Sequence, residues 1–503
     1  MKIKIRTIIF WIIVAVIYLL SSIIKGTCDW FNLRFGVSLE EILFTITSPL
    51  AGSDVSFLDE AAEYVLPYVY AEISVLLACV VIIVILKKVD IRISIDVAKR
   101  KLEVRFYTLY KWLCVAISLL LLISPIQYAI ESLDLNTYIS RRIQNTTIYE
   151  DYYVDPANAK ITHEGEFKNI IYVYIESMET TYASVEDGGA QEMNYIPNLT
   201  RLAEENLSFS DTDKLGGAHV TAGAGWTMGA LFSTTTGVPF SFPIEGNSMD
   251  RFENFAPGIT SLGDILDAYG YKQVFLCGSD GSFAGRQSYF EQHGNYEVHD
   301  LLHAKEQGHI PQDYLVWWGY EDLKLYDIAK KELAELARGD EPFNYTLLTV
   351  DTHHVDGYIC DACQSTYEHR LGNVLECADN QIADFITWCQ EQDFYEDTVI
   401  VISGDHFRMD SSLVAGKNRR LYNCYINADC ELMGDAENRV FTSLDLFPAT
   451  LSAMGFQIEG ERLGLGTNLF SKVPTLAEEL GYEYFNGELG KYSKFYVENL
   501  SKR

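Results

Sequence analysis

Asn169-Ile-Ile-Tyr-Val-Tyr-Ile-Glu-Ser177 and Thr398-Val-Ile-Val-Ile-Ser-Gly-Asp-His406 are the two stretches on which the fold turns. Each is a short apolar run rich in β-branched and aromatic residues, the pattern of a fully buried strand. Each then breaks into polar groups, Glu176-Ser177 in one and Asp405-His406 in the other. A third polar cluster, Gly223-Ala-Gly-Trp-Thr227, leads into an apolar, helix-like stretch. Residues at the carboxyl ends of strands in an open α/β sheet converge on one crevice. A carboxylate, a hydroxyl and an adjacent Asp-His pair are what one hard divalent ion needs to activate an oxygen nucleophile. The pattern points to a metal-dependent enzyme rather than a binding module.

Further strand patterns lie at 272–276, 343–350 and 421–426, and helical patterns at 198–205, 227–233, 259–269, 315–337, 376–392 and 443–454. This alternation predicts an α/β fold, a mainly parallel sheet covered by helices on both faces. Gly270 and Gly455 follow helical patterns and read as C-caps.

The first part of the chain differs in kind. Residues 7–24 and 112–130 carry no charge, and 64–86 carry only Glu72, which reads as lying at the water boundary. Each is close to the roughly 20 apolar residues that span a bilayer. No small-residue cleavage site follows the first run, which continues Lys25-Gly-Thr-Cys-Asp-Trp30 and so reads as an uncleaved span. The expected organisation is a membrane domain over 1–131 with three transmembrane helices (about 7–24, 64–86 and 109–130), a linker over 132–167, and a catalytic domain over 168–503. Residues 87–111 hold eight Lys/Arg against three Asp/Glu, and 25–67 hold two against seven. Basic loops stay in the cytoplasm. The catalytic domain therefore belongs on the extracytoplasmic face of the plasma membrane.

A net charge of −31 excludes nucleic acid as a partner. Of ten cysteines, seven (Cys277, Cys360, Cys363, Cys377, Cys389, Cys424 and Cys430) fall in the catalytic part. Cys360-Asp-Ala-Cys363 has no second CxxC beside it and reads as a structural disulfide rather than a redox or zinc pair.

The remaining clusters add chemistry. Thr227, after Gly223 and Gly225, stands where a helix N-terminus favours anions. Its hydroxyl reads either as an N-cap or, beside a metal, as a nucleophile. Asp351-Thr-His-His354 follows a third strand pattern, so His353 and His354 could bind a second metal or protonate a leaving oxygen. Gly278-Ser-Asp-Gly-Ser-Phe-Ala-Gly285 is a glycine-rich loop suited to an oxyanion, with Arg286 as a charged partner for phosphate.

Tyr174-Ile-Glu-Ser177, Gly225-Trp-Thr-Met228, Phe283-Ala-Gly285, Asp351-Thr-His-His-Val-Asp-Gly357, Ser403-Gly-Asp-His406 and Leu463-Gly-Leu-Gly466 together resemble the sulfatase/alkaline-phosphatase superfamily. More narrowly they resemble its membrane-anchored phosphoglycerol transferases, which include lipoteichoic acid synthases and the glucan-modifying phosphoglycerol transferase I. The resemblance implies a sulfatase-like α/β sheet behind transmembrane helices. It implies a manganese site (with magnesium as substitute) at Glu176, Thr227, Asp405 and His406, with Thr227 as nucleophile. Arg286 and His353 would hold the phosphoglycerol group, and a Cys363–Cys377 disulfide is implied as well. The implied reaction moves sn-glycerol-1-phosphate from phosphatidylglycerol to an envelope glycan or a polyglycerol-phosphate acceptor through a phospho-threonine intermediate. The alternatives are a phosphoethanolamine transferase, a phosphodiesterase, or a non-catalytic envelope sensor. Cys277 and Ala284 depart from the teichoic-acid enzymes, which carry a histidine and a tryptophan there and usually have five spans. Thr227-Met-Gly-Ala-Leu231 lacks the Pro and Arg of a formylglycine segment, which argues against sulfate ester hydrolysis.

Overall fold

The computed structural model describes residues 5–34, 56–97, 100–133, 135–241, 254–353, 356–409 and 413–501. These fall into two compact units, one of the described residues up to 139, the other of those from 140 onward.

Among the described residues, the first unit has three helices long and apolar enough to cross a membrane, over Ile9–Trp30, Ala61–Val89 and Phe106–Ser132. The helices themselves run Ile5–Arg34, Ser56–Val89 and Phe106–Ser132, past both ends of the expected 7–24, 64–86 and 109–130. Gly26 lets the first two helices touch: a Cβ there would lie 2.7 Å from the Val65 Cα. Ser22 donates to Glu72 Oε2 at 2.5 Å, so this acid has a partner on a neighbouring helix. The basic loop is a hairpin, β1 (Arg92–Val97) against β2 (Arg100–Arg105).

In the second unit, the stretch read as a linker holds a short helix, Ile148–Tyr152, with Ile148 and Tyr149 buried in a core, and a short strand, β3 (Ile161–His163). The central sheet is built from β4 (Asn169–Ile175), β5 (Lys272–Cys277), β6 (Glu297–His299), β7 (Phe343–Leu348), β8 (Thr398–Gly404) and β9 (Asn423–Ile426). Their order is β6-β5-β7-β4-β8-β9, parallel throughout except for β9, which runs antiparallel to β8. β4 shows why the runs are apolar end to end. Ile171, Val173 and Ile175 enter one core, while Ile170, Tyr172 and Tyr174 enter the other. A strand with side chains alternating into two covered faces has no solvent side.

All five expected strands are present, and β6 is an edge strand too short to register as a pattern. The helix expected over 315–337 starts at Asp322, because Val316 and Gly319 exchange backbone hydrogen bonds in a turn with Trp317 at φ +48°. The one expected over 376–392 starts earlier, at Arg370. Gly270 and Gly455 take the left-handed conformation just past their helices (φ +83° and +87°).

The Thr227–Thr236 helix is buried except at its first residue. Its inner hydroxyls bond back along the chain: Ser233 to Gly229 O, Thr234 to Ala230 O, Thr235 to Leu231 O and Thr236 to Phe232 O, at 2.6 to 2.8 Å. Tyr174 on β4 meets Thr234 Oγ1 at 2.9 Å, tying this helix to the sheet. The segment before it is stitched down as well. Ala218 exchanges backbone hydrogen bonds with Leu421, and His219 pairs with Phe441 and Ser443.

Gly404, the last residue of β8, lies so close to the Met178 carbonyl that an added Cβ would stand 1.9 Å from that oxygen. Gly404→Ala is expected to lower stability by about 1–3 kcal/mol, read as a lower melting temperature and denaturation midpoint. His219 gives a second expectation. Burial, with Arg420 nearby, pushes its pKa down to about 4. Its folded value lies below the unfolded value of about 6.5, so its contribution is complete above that pH and is lost as pH falls toward 4. His219→Gln should remove a one-proton component from the decline of melting temperature between those two pH values.

Candidate active site

Register brings the site together. Ile175 pairs with Gly404 across β4 and β8, so the next residues, Glu176 and Asp405, leave adjacent strands side by side. Both are buried, as is His406. His406 Nε2 lies 3.3 Å from Glu176 Oε1 and 3.4 Å from Asp405 Oδ2. Thr227 Oγ1 is 3.3 Å from Glu176 Oε2 and 3.3 Å from His406 Nε2. The N-cap reading of Thr227 fails, because Trp226 occupies the cap position and Thr227 is the first helical residue.

The surroundings orient every member. Glu176 N donates to Thr349 Oγ1 (3.0 Å), and Thr352 Oγ1 donates to Glu176 O (2.5 Å). Ser177, at φ +52°, donates its hydroxyl to Glu176 Oε1 (2.7 Å) and its N–H to Asp405 Oδ1 (2.7 Å). Non-glycine backbone held in this region is strained and concentrates at functional sites. His406 Nδ1 pairs with Phe407 O at 2.7 Å. A proton on Nδ1 leaves the Nε2 lone pair facing the carboxylates, the arrangement of a metal-binding imidazole.

Charge is concentrated here. Burial and the neighbouring Glu176 push the Asp405 pKa up to about 7. Against burial, Asp405 and Glu176 hold His406 up at about 10. Glu176 stays well below the usual carboxylate range, despite burial, through the charges of His406 and His353. A carboxylate pair closed around an imidazolium is a site where a cation can take the place of the proton. Asp405 Oδ2 is buried with no hydrogen-bond partner. Glu176, Asp405 and His406 each offer a ligand atom, all within 4.8 Å of one another. Oxygen and imidazole donors with one orphaned carboxylate oxygen fit a divalent metal.

The other expected residues sit around this centre. His353 follows β7, its ring 4.9 Å from that of Trp318 and 5.9 Å from that of Trp317. His354 lies outside the described residues. Arg286 begins the Arg286–Gln292 helix, buried, with Nη2 donating to Ser279 Oγ (3.0 Å) and Asp280 O (2.8 Å). Among the described residues it makes no hydrogen bond or ion pair with the Glu176–Asp405–His406 cluster. The Cys363–Cys377 disulfide is not formed. Both are free thiols, and Cys360 lies between them, 3.7 Å from each.

Sequence reasoning gave no role to Ser177 or to the Glu179 network. Glu179 Oε1 accepts from Arg408 N (2.9 Å) and Oε2 from Arg419 Nε (2.8 Å), while Arg408 Nη1 donates to Thr352 O (2.8 Å). This ties the loop after β8 to those after β4 and β7. Glu179 follows Glu176 closely, but its partners are more than two hundred residues away, which no local pattern reveals.

Residues 168–423 match the sulfatase family. The chain belongs to that family. Among curated relatives of this sulfatase-family chain, a phosphoglycerol transferase I of Xanthomonas campestris pv. campestris (strain B100) is 32% identical over 292 residues, covering 56% of this chain and 39% of that protein. A phosphoglycerol transferase I of Salmonella choleraesuis (strain SC-B67) is 33% identical over 269 residues, covering 52% of this chain and 33% of its own length. The chain thus spans well under half the length of these relatives. A solved structure of an alkaline phosphatase superfamily protein from Vibrio parahaemolyticus matches 64% of this chain and 74% of its own, at 19% identity and a TM-score of 0.48.

Added Mn2+ or Mg2+ is expected to raise the melting temperature of the wild-type chain, by about 2.7 kcal/mol of stabilisation at a hundred times Kd. Asp405→Asn and Glu176→Gln should lose that response while melting, in chelator, no lower than wild type, since each removes one of two adjacent buried carboxylates.

Proposed function

We propose that this chain is a membrane-anchored, metal-dependent phosphoglycerol transferase. The observation that carries this is the Thr227 hydroxyl, at a helix N-terminus and 3.3 Å from both Glu176 Oε2 and His406 Nε2. This supports a nucleophile role for Thr227, which is the first helical residue and not a capping side chain. Thr227, Glu176, Asp405 and His406 would hold Mn2+, with Mg2+ as a substitute. The bound metal would supply positive charge that lowers the hydroxyl pKa and offsets charge on the phosphoryl oxygens.

The residues divide the remaining work. Thr227 Oγ1 directs its proton toward Glu176 Oε2 and attacks the phosphorus of phosphatidylglycerol. The bond from phosphorus to the diacylglycerol oxygen breaks, and that oxygen takes a proton from His353 or His354. Arg286 and His353 hold the phosphoglycerol group, with the helix N-terminus favouring its negative charge. A hydroxyl of an envelope glycan or of a glycerol-phosphate polymer then attacks the glycerophospho-threonine, giving its proton to the histidine that lost one. The bond from phosphorus to Thr227 Oγ1 breaks, and Glu176 returns the proton to that oxygen. The sulfatase family name does not describe this activity, since the segment at Thr227 lacks the Pro and Arg that formylglycine formation requires.

Three helices of membrane-spanning length, with basic residues concentrated between the second and third, support a multi-pass plasma-membrane protein whose domain from residue 168 onward is extracytoplasmic. The donor lipid is then available from the outer leaflet.

With labelled phosphatidylglycerol and Mn2+, the wild-type chain is expected to release diacylglycerol and to carry a phosphoglycerol adduct on the peptide containing Thr227. Thr227→Ala should lose release by on the order of 10³-fold or more. Undiminished release by the variant would remove Thr227 from the mechanism. A preference for phosphatidylethanolamine would move the chain to the phosphoethanolamine transferases.

A further inference from the structure

Away from the Glu176 centre, three cysteines meet where the loop after β7 packs on the Arg370–Gln390 helix. Cys360 Sγ lies 3.7 Å from Cys363 Sγ and 3.7 Å from Cys377 Sγ, and the three sulfurs lie within 4.8 Å of one another. Cys360 and Cys377 are only 6% and 5% exposed, while Cys363 is half-buried. We infer that Cys360, Cys363 and Cys377 form a second metal site, selective for a soft divalent ion, zinc, with the fourth position open toward solvent beside Cys363.

Three observations carry this. First, Zn–S bonds of about 2.3 Å at tetrahedral angles set sulfur–sulfur edges of about 3.8 Å. Two edges of the cluster have that length, whereas a disulfide needs its sulfurs at about 2.05 Å and would join only two of the three. Second, Gln381, one turn after Cys377 and itself buried, turns Nε2 toward Cys377 Sγ (3.2 Å) and Cys360 Sγ (3.7 Å). An amide donor aimed at two sulfurs stabilises thiolates, as outer partners of metal ligands do. Third, the donor set is all sulfur, which selects zinc over the harder ions suited to the Glu176 centre. Binding releases three thiol protons and leaves one net negative charge, which faces the Gln381 amide.

The site would clip the loop that carries His353. Gly357 N bonds to His353 O (3.1 Å), Tyr358 N to Asp351 O (2.7 Å) and Arg370 Nη2 to Gly357 O (3.1 Å), so Cys360 lies a few residues beyond the histidine on a stitched loop.

The test uses the full-length chain in detergent, purified without reductant or added metal, in an Asp405→Asn, His303→Ala background so that neither the Glu176 centre nor the His299, His303 and Glu332 group contributes. Elemental analysis and thiol alkylation read its state, and Co2+ serves as the optical probe. The expected result is alkylation of Cys360, Cys363 and Cys377, read on their peptides, only after chelation, uptake of one equivalent of Zn2+, and a thiolate-to-cobalt charge-transfer band with Co2+. Cys363→Ser, whose side chain is half-buried and outside the two cores, should keep the fold by circular dichroism and lose the band. Gln381→Ala should weaken zinc binding about 10- to 100-fold. A disulfide among the three cysteines, or three free thiols that take up neither Zn2+ nor Co2+, would overturn the inference whatever the fate of the transferase reading.

Discussion

The pairing of Ile175 with Gly404 is the constraint on which the rest of this domain depends. Parallel strands about 4.8 Å apart in register deliver their next residues into one volume. Here those residues are two acids, Glu176 and Asp405, both removed from water. Buried carboxylates cost several kcal/mol each unless a positive charge answers them. His406 as imidazolium, or a divalent ion, answers that need. Asp405 Oδ2 is buried without a hydrogen-bond partner, and His406 Nε2 faces it at 3.4 Å.

Around that pair, neighbouring strands contribute supports rather than further ligands. The loop after β7 sends Thr349 and Thr352 to the Glu176 backbone, and Arg408, just past His406, reaches the Thr352 carbonyl. Glu179 closes the ring by accepting from Arg408 and Arg419. Three loops at the carboxyl end of the sheet are thus held through each other. A displacement of one alters the distances among Glu176, Asp405, His406 and Thr227 on which the proposed chemistry would depend.

Much of this was legible in the sequence, and the reason is periodicity. A strand buried on both faces must be apolar throughout, so its end is marked by the first polar residue. Glu176 is that residue after β4, while Asp405 follows Ser403 and Gly404 at the end of β8, and the histidine pair after β7 follows Thr349, Asp351 and Thr352. Arg286 stood out through its glycine-rich loop, but its guanidinium is engaged by Ser279 and Asp280, a fact that depends on loop conformation and not composition. The contact of Trp317 and Trp318 with the His353 ring comes from a turn with positive φ that the helical pattern over 315–337 concealed. Ser177 looked like an ordinary neighbour of Glu176, because left-handed backbone at a serine leaves no trace in the sequence. The cysteines erred in the opposite direction: their spacing suggested a covalent pair, and the fold assembles three.

The hydroxyls along the Thr227–Thr236 helix have a further consequence. Ser233, Thr234, Thr235 and Thr236 each have a carbonyl four residues back within the helix and bond to it. Thr227, as first helical residue, has no helical turn behind it and turns to Glu176 and His406 instead. Chemically similar alcohols within ten residues are therefore sorted by address alone. The inner ones are engaged by their own backbone, and the outermost is left facing Glu176 and His406. Lengthening the helix by one turn at its start would give Thr227 a carbonyl of its own, silencing it without changing a single side chain in the pocket.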